Sequence, residues 1–248
     1  MNSLKSVANS VVESCSSTND LAKKLAEEGW PDGTWISARV QEQGRGRMGR
    51  RWESSSGNLY LSLIVRFVPQ LCWTWVPLTI ACAVSRYLRE KFPTIDVSIK
   101  WPNDLWIQGS KLAGILCEGS FRGEQSFIIA GLGLNCNQAP LSLDRATTSL
   151  FNALQTPVLT DEIRAPILSA ILQELEYLKT GGPGRVQEFY SRWAVLSPGT
   201  AIQWGSLPHR GFVKGLGQQG ELRVSHSKDG GPEISIFAED VSVTFLTT

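Results

Sequence analysis

The sequence predicts an α+β chain: a mixed or antiparallel β-sheet with helices packed on it, followed by a small C-terminal β-barrel. Three observations carry this. The run "NLYLSLIVRF" alternates with a period of two, which puts Leu59, Leu61, Leu63, Val65 and Phe67 on one side. Amphipathic helical stretches are segregated from runs of hairpin-like strands instead of alternating with them one for one, which argues against a regular doubly wound sheet. After "SPGT" the helical period vanishes and short strands with Gly-rich turns take over, so the chain divides into residues 1–195 and a barrel over 196–248.

In chain order, "SSTNDLAKKLAEEGWPDG" reads as a short amphipathic helix. Hydroxyl and Asn residues stand at its start, Leu21, Ala22, Leu25 and Ala26 share a face, and Gly29 and Pro31 end it. "TWISARV" reads as a strand, as does the alternating run. A second helix spans Thr74 to Lys91 and is broken off by Phe92-Pro93. "VSIKW", "LWI", "KLAGILCEGSF" and "SFIIAGLGLN" follow as strands separated by Pro-Asn-Asp, Gly-Ser and Arg-Gly-Glu turns. Helices are expected from Asp161 to Leu178 and from Pro183 to Ala194. The terminal part supplies "AIQW", "RGFVKGL", "ELRVS" and "EISIFAEDVSVTF" as strands.

Composition excludes several function classes. At 248 residues, with 24 basic against 23 acidic side chains, the chain has a formal charge of +1 and no global field to draw it onto a nucleic acid or an anionic membrane. Anion binding has to be local. The five cysteines are scattered, odd in number and without C-x-x-C spacing, which argues against a disulfide framework or a zinc site and for a reducing compartment. The only histidines, His209 and His226, lie near the C-terminus, so a His-based triad or a multi-His metal site would have to be built from that end alone. No dedicated metal-binding cage is apparent. No apolar run reaches membrane-spanning length and the first residues lack a signal-peptide core, so the expected location is cytoplasmic.

Local charge is concentrated in "GRGRMGRRW", Gly44 to Trp52, which holds four arginines and three glycines. The formal G-x-G-x-x-G match to a dinucleotide loop fails on context, because Gly49 leads into a strand and the region where an acidic ribose ligand belongs, "IVRFVPQ", contains none. A solvated basic loop and a nucleic-acid patch are the plain alternatives. Glycines that let the backbone adopt positive φ, interleaved with guanidinium forks, suit a loop folded over a compact polyanion.

Two further clusters stand out. "KWPNDLWIQGSKLAGILCEG" places Lys100 at a strand end, Asn103 and Asp104 in a turn, and Lys111 just after a hairpin turn. A structural Asx-turn with exposed lysines is the simpler reading of that hairpin. In "AGLGLNCNQ", Gly131, Gly133 and Asn135 fall on one strand face, a bare strip that can receive a flat ring or another backbone.

Taken together these stretches resemble the biotin protein ligase family. The likeness runs through "SSTN", "QEQGRGRMGRRW", "SGNLYLS", "KWPNDLW", "KLAGIL" and "GLGLNCN", in the family's order and spacing across residues 14–137. Gln43 and Met48 depart from it, standing where a small and a basic residue are common. The resemblance implies a mixed-sheet catalytic core similar to that of class II aminoacyl-tRNA synthetases, followed by an SH3-like barrel. With only about a dozen residues ahead of the first motif, too few for a winged helix-turn-helix, it implies the type of ligase that is not also a repressor.

The resemblance further implies that ATP adenylates the carboxylate of biotin to give biotinyl-5′-AMP. A lysine of an apo biotin carboxyl carrier protein then attacks the mixed anhydride. ATP and biotin are thus expected as substrates, Mg2+ shares the triphosphate charge, no DNA or membrane partner is expected, and a homodimer is left open. By this likeness Lys111, Arg47 and Asp104 are the catalytic residues, with Asp104 orienting or deprotonating the incoming amine. Biotin is held by Ser17, Thr18, Asn19, Gln41, Gly44, Arg45, Gly46, Arg47 and Lys111. The adenylate is held by Arg47, Arg50, Trp52, Lys100, Asn103 and Asn135, with Trp52 stacking on adenine. "SSTN" has helix capping as its simpler reading. The physical need for so many cations is clear: like charges at 4 Å cost about 4 kcal/mol at an effective dielectric near 20, so one anion reaches another only past fixed positive charge. A lipoate or octanoate ligase of the same fold and a nucleic-acid-binding module are the alternatives.

Overall fold

In the run 59–66 the residues between the alternating leucines are themselves apolar or small, so both faces can be buried. The run forms strand β3 (Leu59–Arg66), buried along its length except at Arg66. The structure is a computed structural model that describes residues 7–66, 72–123, 126–140, 146–205, 209–238 and the backbone of 243–245; Phe67 lies outside them.

Seven strands make one sheet in the order β1-β2-β3-β7-β6-β5-β4. These are β1 (Ser10–Cys15), β2 (Trp35–Gln41), β3, β4 (Ser98–Lys100), β5 (Asp104–Ile107), β6 (Ser110–Ser120) and β7 (Phe127–Leu134). The β1–β2 pair is parallel and the other five pairs are antiparallel, so the sheet is mixed as expected. The sequence reading has no counterpart of β1. A parallel edge strand needs no hairpin turn to announce it, and "SVVESC" offers only two large apolar residues.

Helix α1 (Thr18–Glu27) covers one face of the sheet. Its Ala22, Leu25 and Ala26 are buried against Ile36, Ile64, Phe127 and Ile129. The opposite face carries Leu59, Leu61, Leu63 and Val65 into the main core beneath α2 (Val76–Lys91), α4 (Thr160–Gly181) and α5 (Gly184–Trp193). The three long helices thus lie where expected, although α4 runs through Pro166, whose ring leaves the Glu162 carbonyl without the amide that an unbroken helix would supply. A short helix α3 (Leu150–Leu154) was not expected; five residues are too few to show a period.

The C-terminal strands β8 (Ala201–Trp204), β9 (His209–Leu216), β10 (Leu222–Ser225), β11 (Glu233–Ile236) and β12 (Val243–Phe245) form an antiparallel sheet in the order β11-β10-β9-β8-β12. Where a closed barrel was expected, the described residues give an open five-stranded sheet with β11 and β12 as its edges. This sheet does not stand apart. Ile202, Trp204, Val213, Leu222, Val224 and Ile236 belong to the same contiguous apolar cluster as the main core. The indole N–H of Trp75 donates to the Gln218 carbonyl at 3.0 Å, and that of Trp101 donates to the Gly220 carbonyl at 2.9 Å.

Candidate active site

On the face that α1 covers in part, register places Ser62 beside Gly131, Tyr60 beside Gly133, and Gly133 beside Gly114. Three glycines in adjoining strands leave a shallow floor beyond the end of α1. The chain fills it with its own groups. A methyl group at Gly133 would sit 2.5 Å from the Trp52 indole, one at Gly114 would meet the same ring at 3.1 Å, and one at Gly131 would collide with the Asn19 carboxamide. The bare strip read from the sequence therefore does receive a flat ring, and that ring is Trp52.

Lys111 enters from the β5–β6 hairpin. The two-residue turn is Gln108-Gly109, both with positive φ (47° and 78°), one position earlier than the Gly-Ser turn expected. Its backbone is pinned to the following segment, the N–H donating to the Ala146 carbonyl and the C=O accepting from Thr148 N–H, each at 2.9 Å. The ammonium lies 2.7 Å from Asp104 Oδ1 and 5.2 Å from the centre of the Trp52 ring. Lysine, carboxylate and indole face thus converge within one hairpin width. Lys100 is directly opposite Asp104 in the β4–β5 register and leans over the Trp106 ring at 4.4 Å.

The arginine loop is a tight reversal, closed by Gly46 N–H to the Arg50 carbonyl at 2.7 Å and Trp52 N–H to the Gly44 carbonyl at 2.9 Å. The left-handed conformation falls on Met48 (φ 57°) and Gly49 (φ 70°), so only one of the three loop glycines uses the freedom expected of all of them. The side chains also divide their tasks. Arg47 Nη1 donates to Asn103 Oδ1 at 3.3 Å, beside the Asp104 turn. Arg50, exposed, reaches Met48 Sδ at 3.6 Å within its own loop. Arg45 turns the other way, with two bonds to Asp20 (2.9 and 2.8 Å) and two to Glu118 (3.2 Å each). Its charge is offset by two carboxylates of the chain itself. The guanidinium beside Asp20 holds that carboxyl below the usual carboxylate range, and Asp20, then Glu118, push Arg45 higher still.

Ser17, Thr18, Asn19 and Gln41 form a polar wall beside the glycine floor. Ser17 occupies the N-cap position of α1 but its hydroxyl makes no capping bond; instead Gln41 Oε1 accepts from Thr18 N–H (2.9 Å) and Thr18 Oγ1 (3.0 Å). Gln41 Nε2 donates to Ser54 Oγ at 2.9 Å, Ser62 Oγ lies 2.7 Å from Thr18 Oγ1 and 2.6 Å from Asn19 Oδ1, and Asn19 Nδ2 donates to Glu118 Oε2 at 2.5 Å. The wall is therefore wired from loop to helix to strand. Simple capping, the plain reading of "SSTN", is not what these side chains do.

The two asparagines expected at the adenylate differ. Asn103 is committed at both ends, its Nδ2 donating to the Ile115 carbonyl at 2.5 Å while Oδ1 accepts from Arg47, so it braces the turn. Asn135, 1% exposed, donates Nδ2 to the Thr148 carbonyl at 3.0 Å and keeps Oδ1 buried without a partner, which is an acceptor waiting for a donor. Residues that the sequence reading missed are Asp20, Ser62 and Glu118. Period-two spacing from Gly114 puts Glu118 on the site face, a signal present in the strand but hidden by lack of register. Burial, with Asp20 and Glu42 adding to it, pushes the Cys15 thiol up to about 11, so it is no nucleophile at neutral pH. A cavity of about 350 Å³ between α4 and the α1–β2 turn, lined by Asp32, Leu172, Leu175 and Lys179 among others, contains none of the residues predicted for the site.

Comparison with known proteins agrees with this geometry. The model of the biotin/lipoate A/B protein ligase family matches residues 11–135. A biotin–[acetyl-CoA-carboxylase] ligase of Mycobacterium tuberculosis is 32% identical over 242 residues, covering 93% of this chain and 87% of that protein. The bifunctional ligase/repressor BirA of Bacillus subtilis is 41% identical over 128 residues, 50% of this chain and 39% of its own length. Biotin protein ligase from Aquifex aeolicus, solved in complex with biotin and ATP, matches with a TM-score of 0.79 and 26% identity, covering 95% of this chain and 98% of that one. On these matches, and on the wired wall and cationic hairpin above, the chain belongs to the biotin/lipoate A/B protein ligase family, and within it to the biotin protein ligases.

Proposed function

We propose that the chain is an ATP-dependent biotin protein ligase, which adenylates biotin and transfers it to a lysine of a biotin carboxyl carrier protein. The observation that carries this is the Lys111 ammonium between the Asp104 carboxylate and the Trp52 ring, on the floor bounded by the Thr18–Asn19–Gln41 wall. Biotin's ureido ring suits the wall, which offers both donors and acceptors. Its carboxylate then points along the floor toward Lys111. There it meets the α-phosphate, with Arg47 and Lys100 adding positive charge.

The Lys111–Asp104 pair gives the two half-reactions an order. The ammonium pairs with the Asp104 carboxylate. When the biotin carboxylate and the α-phosphate arrive, Lys111 serves them instead, stabilising charge that grows on the attacking and bridging oxygens. Asp104 is thereby released from its cation and can accept a hydrogen bond from the carrier's lysine amine as it attacks. Asn135 Oδ1, buried and without a partner, is placed to accept from an exocyclic amino group of adenine, and Trp52 supplies the ring face. Asn103 acts through Arg47 and the turn rather than by touching the base.

Mg2+ enters with ATP, as part of that substrate; among the described residues no three His, Cys, Asp or Glu side chains gather as a metal site. We read the five short C-terminal strands as the SH3-like unit that the resemblance implies, and residues 1–195 as the catalytic unit. A cytoplasmic location is supported by the five cysteines, all free thiols. No helix among the described residues is long and apolar enough to cross a membrane.

Purified protein incubated with ATP and biotin is expected to release pyrophosphate only when biotin is present, and to label a biotin carboxyl carrier domain once that domain is added. Equal turnover with lipoate in place of biotin would move the assignment to the lipoate side of the family.

A further inference from the structure

Within the arginine loop, Arg47 turns to Asn103 beside the Lys111 hairpin, whereas Arg45 turns the opposite way. From the loop it crosses to the first turn of α1, where Asp20 takes it in a paired, fork-to-fork contact at 2.8 and 2.9 Å. It also crosses to β6, where Glu118 takes the same Nη2 at 3.2 Å. Glu118 is itself held by Asn19 at 2.5 Å, and Asn19 by Ser62. The three elements that meet here, loop, helix and strand, are those that enclose the polar wall. Gln41, just ahead of the loop, also reaches the helix through Thr18, but the Arg45 contacts are the ones made by ion pairs.

We propose that the Asp20–Arg45–Glu118 contact is a strap that fastens the arginine loop across the biotin end of the site, making Asp20 and Glu118 positioning residues that retain biotin and its adenylate. The inference rests on the ligase reading for the identity of the ligand, but the strap itself is made of contacts within the chain. Its two anchors account for all four described hydrogen bonds of the Arg45 side chain. A lysine in its place could not serve two carboxylates with a fork. A mixed anhydride has to be shielded from water until an amine reaches it, and a latch made of ion pairs can open without disturbing the packed core.

Asp20→Asn and Glu118→Gln test the strap, since both substitutions preserve shape and remove charge. The loop offers trypsin Arg45, Arg47, Arg50 and Arg51. Cleavage of the ligand-free variants there is expected to be about fivefold faster than in the parent, because the pairs are partly exposed and each contributes modestly. Both variants should also lose biotinyl-5′-AMP to solution several times faster than the parent while still releasing pyrophosphate. Circular dichroism melts serve to check that the variants are folded. Parent-like cleavage in both variants would overturn the strap. Faster cleavage with unchanged adenylate loss would overturn its retaining role. If the parent itself releases no biotin-dependent pyrophosphate, the ligase reading fails while the cleavage result still decides the strap.

Discussion

Two side chains carry the proposed chemistry of the floor, and each makes a separate prediction. Lys111→Ala removes the cation proposed to meet the reacting oxygens and is expected to slow adenylate formation by about 10²- to 10³-fold, roughly 3–4 kcal/mol. Asp104→Asn, which leaves the ammonium in place, should spare that step and slow transfer to the carrier. Single-turnover measurements of the two half-reactions separate these outcomes, and an adenylation rate unchanged in Lys111→Ala would remove the lysine from the first step. Gly133→Ala places a methyl 2.5 Å from the Trp52 indole and should raise KM for ATP about tenfold while biotin affinity, measured by calorimetry, stays near the parent value. At this scale the sequence was legible in its identities and not in its pairings. That Arg45 belongs to Asp20 and Glu118, residues 25 and 73 positions away, depends on a fold no local pattern encodes. Asn103 as a brace and Asn135 as an acceptor are likewise indistinguishable until their neighbours are known.

Among elements, the strands and helices with strong periods were readable and those without were not. β3 and α1 advertise themselves through alternation and caps, whereas β1 and the five-residue α3 have neither length nor turn signal to give. The helical layer has its own internal support. Glu174 of α4, 6% exposed, takes Arg86 of α2 at 2.8 Å and Arg185 of α5 at 3.1 Å, so one carboxylate ties three helices. Glu174→Gln leaves two guanidinium groups facing a neutral amide and is expected to cost about 2 kcal/mol, a fall in melting temperature of roughly 4–8 °C by scanning calorimetry, with pyrophosphate release at 25 °C unaffected. A matching loss of activity at that temperature would mean that the helical layer shapes the floor directly.

For the molecule as a whole, the change of texture after residue 195 is real in the strands and absent in the core. The C-terminal sheet shares one apolar cluster with the helices, and the turn at Gln218–Gly220 receives both Trp75 and Trp101. Trp101 immediately precedes the Pro102-Asn103-Asp104 turn, so the base of that turn hangs from the C-terminal sheet. Trp101→Phe keeps most of the packing and loses the indole N–H bond. It should cost about 1 kcal/mol and, more tellingly, lower carrier transfer more than adenylate formation, because Asp104 is the group whose footing is weakened. An equal drop in both steps would place the effect elsewhere. The segment joining the two regions is no slack tether either: Val195 N–H donates to the Ile99 carbonyl at 2.8 Å, and Ala194 bridges the same residue on the edge of the main sheet. Anyone trimming this protein for a smaller labelling reagent would be drawn to cut after residue 195, and that scissor line, though it spares the Ala194–Val195 edge, takes away the peg on which the aspartate turn hangs.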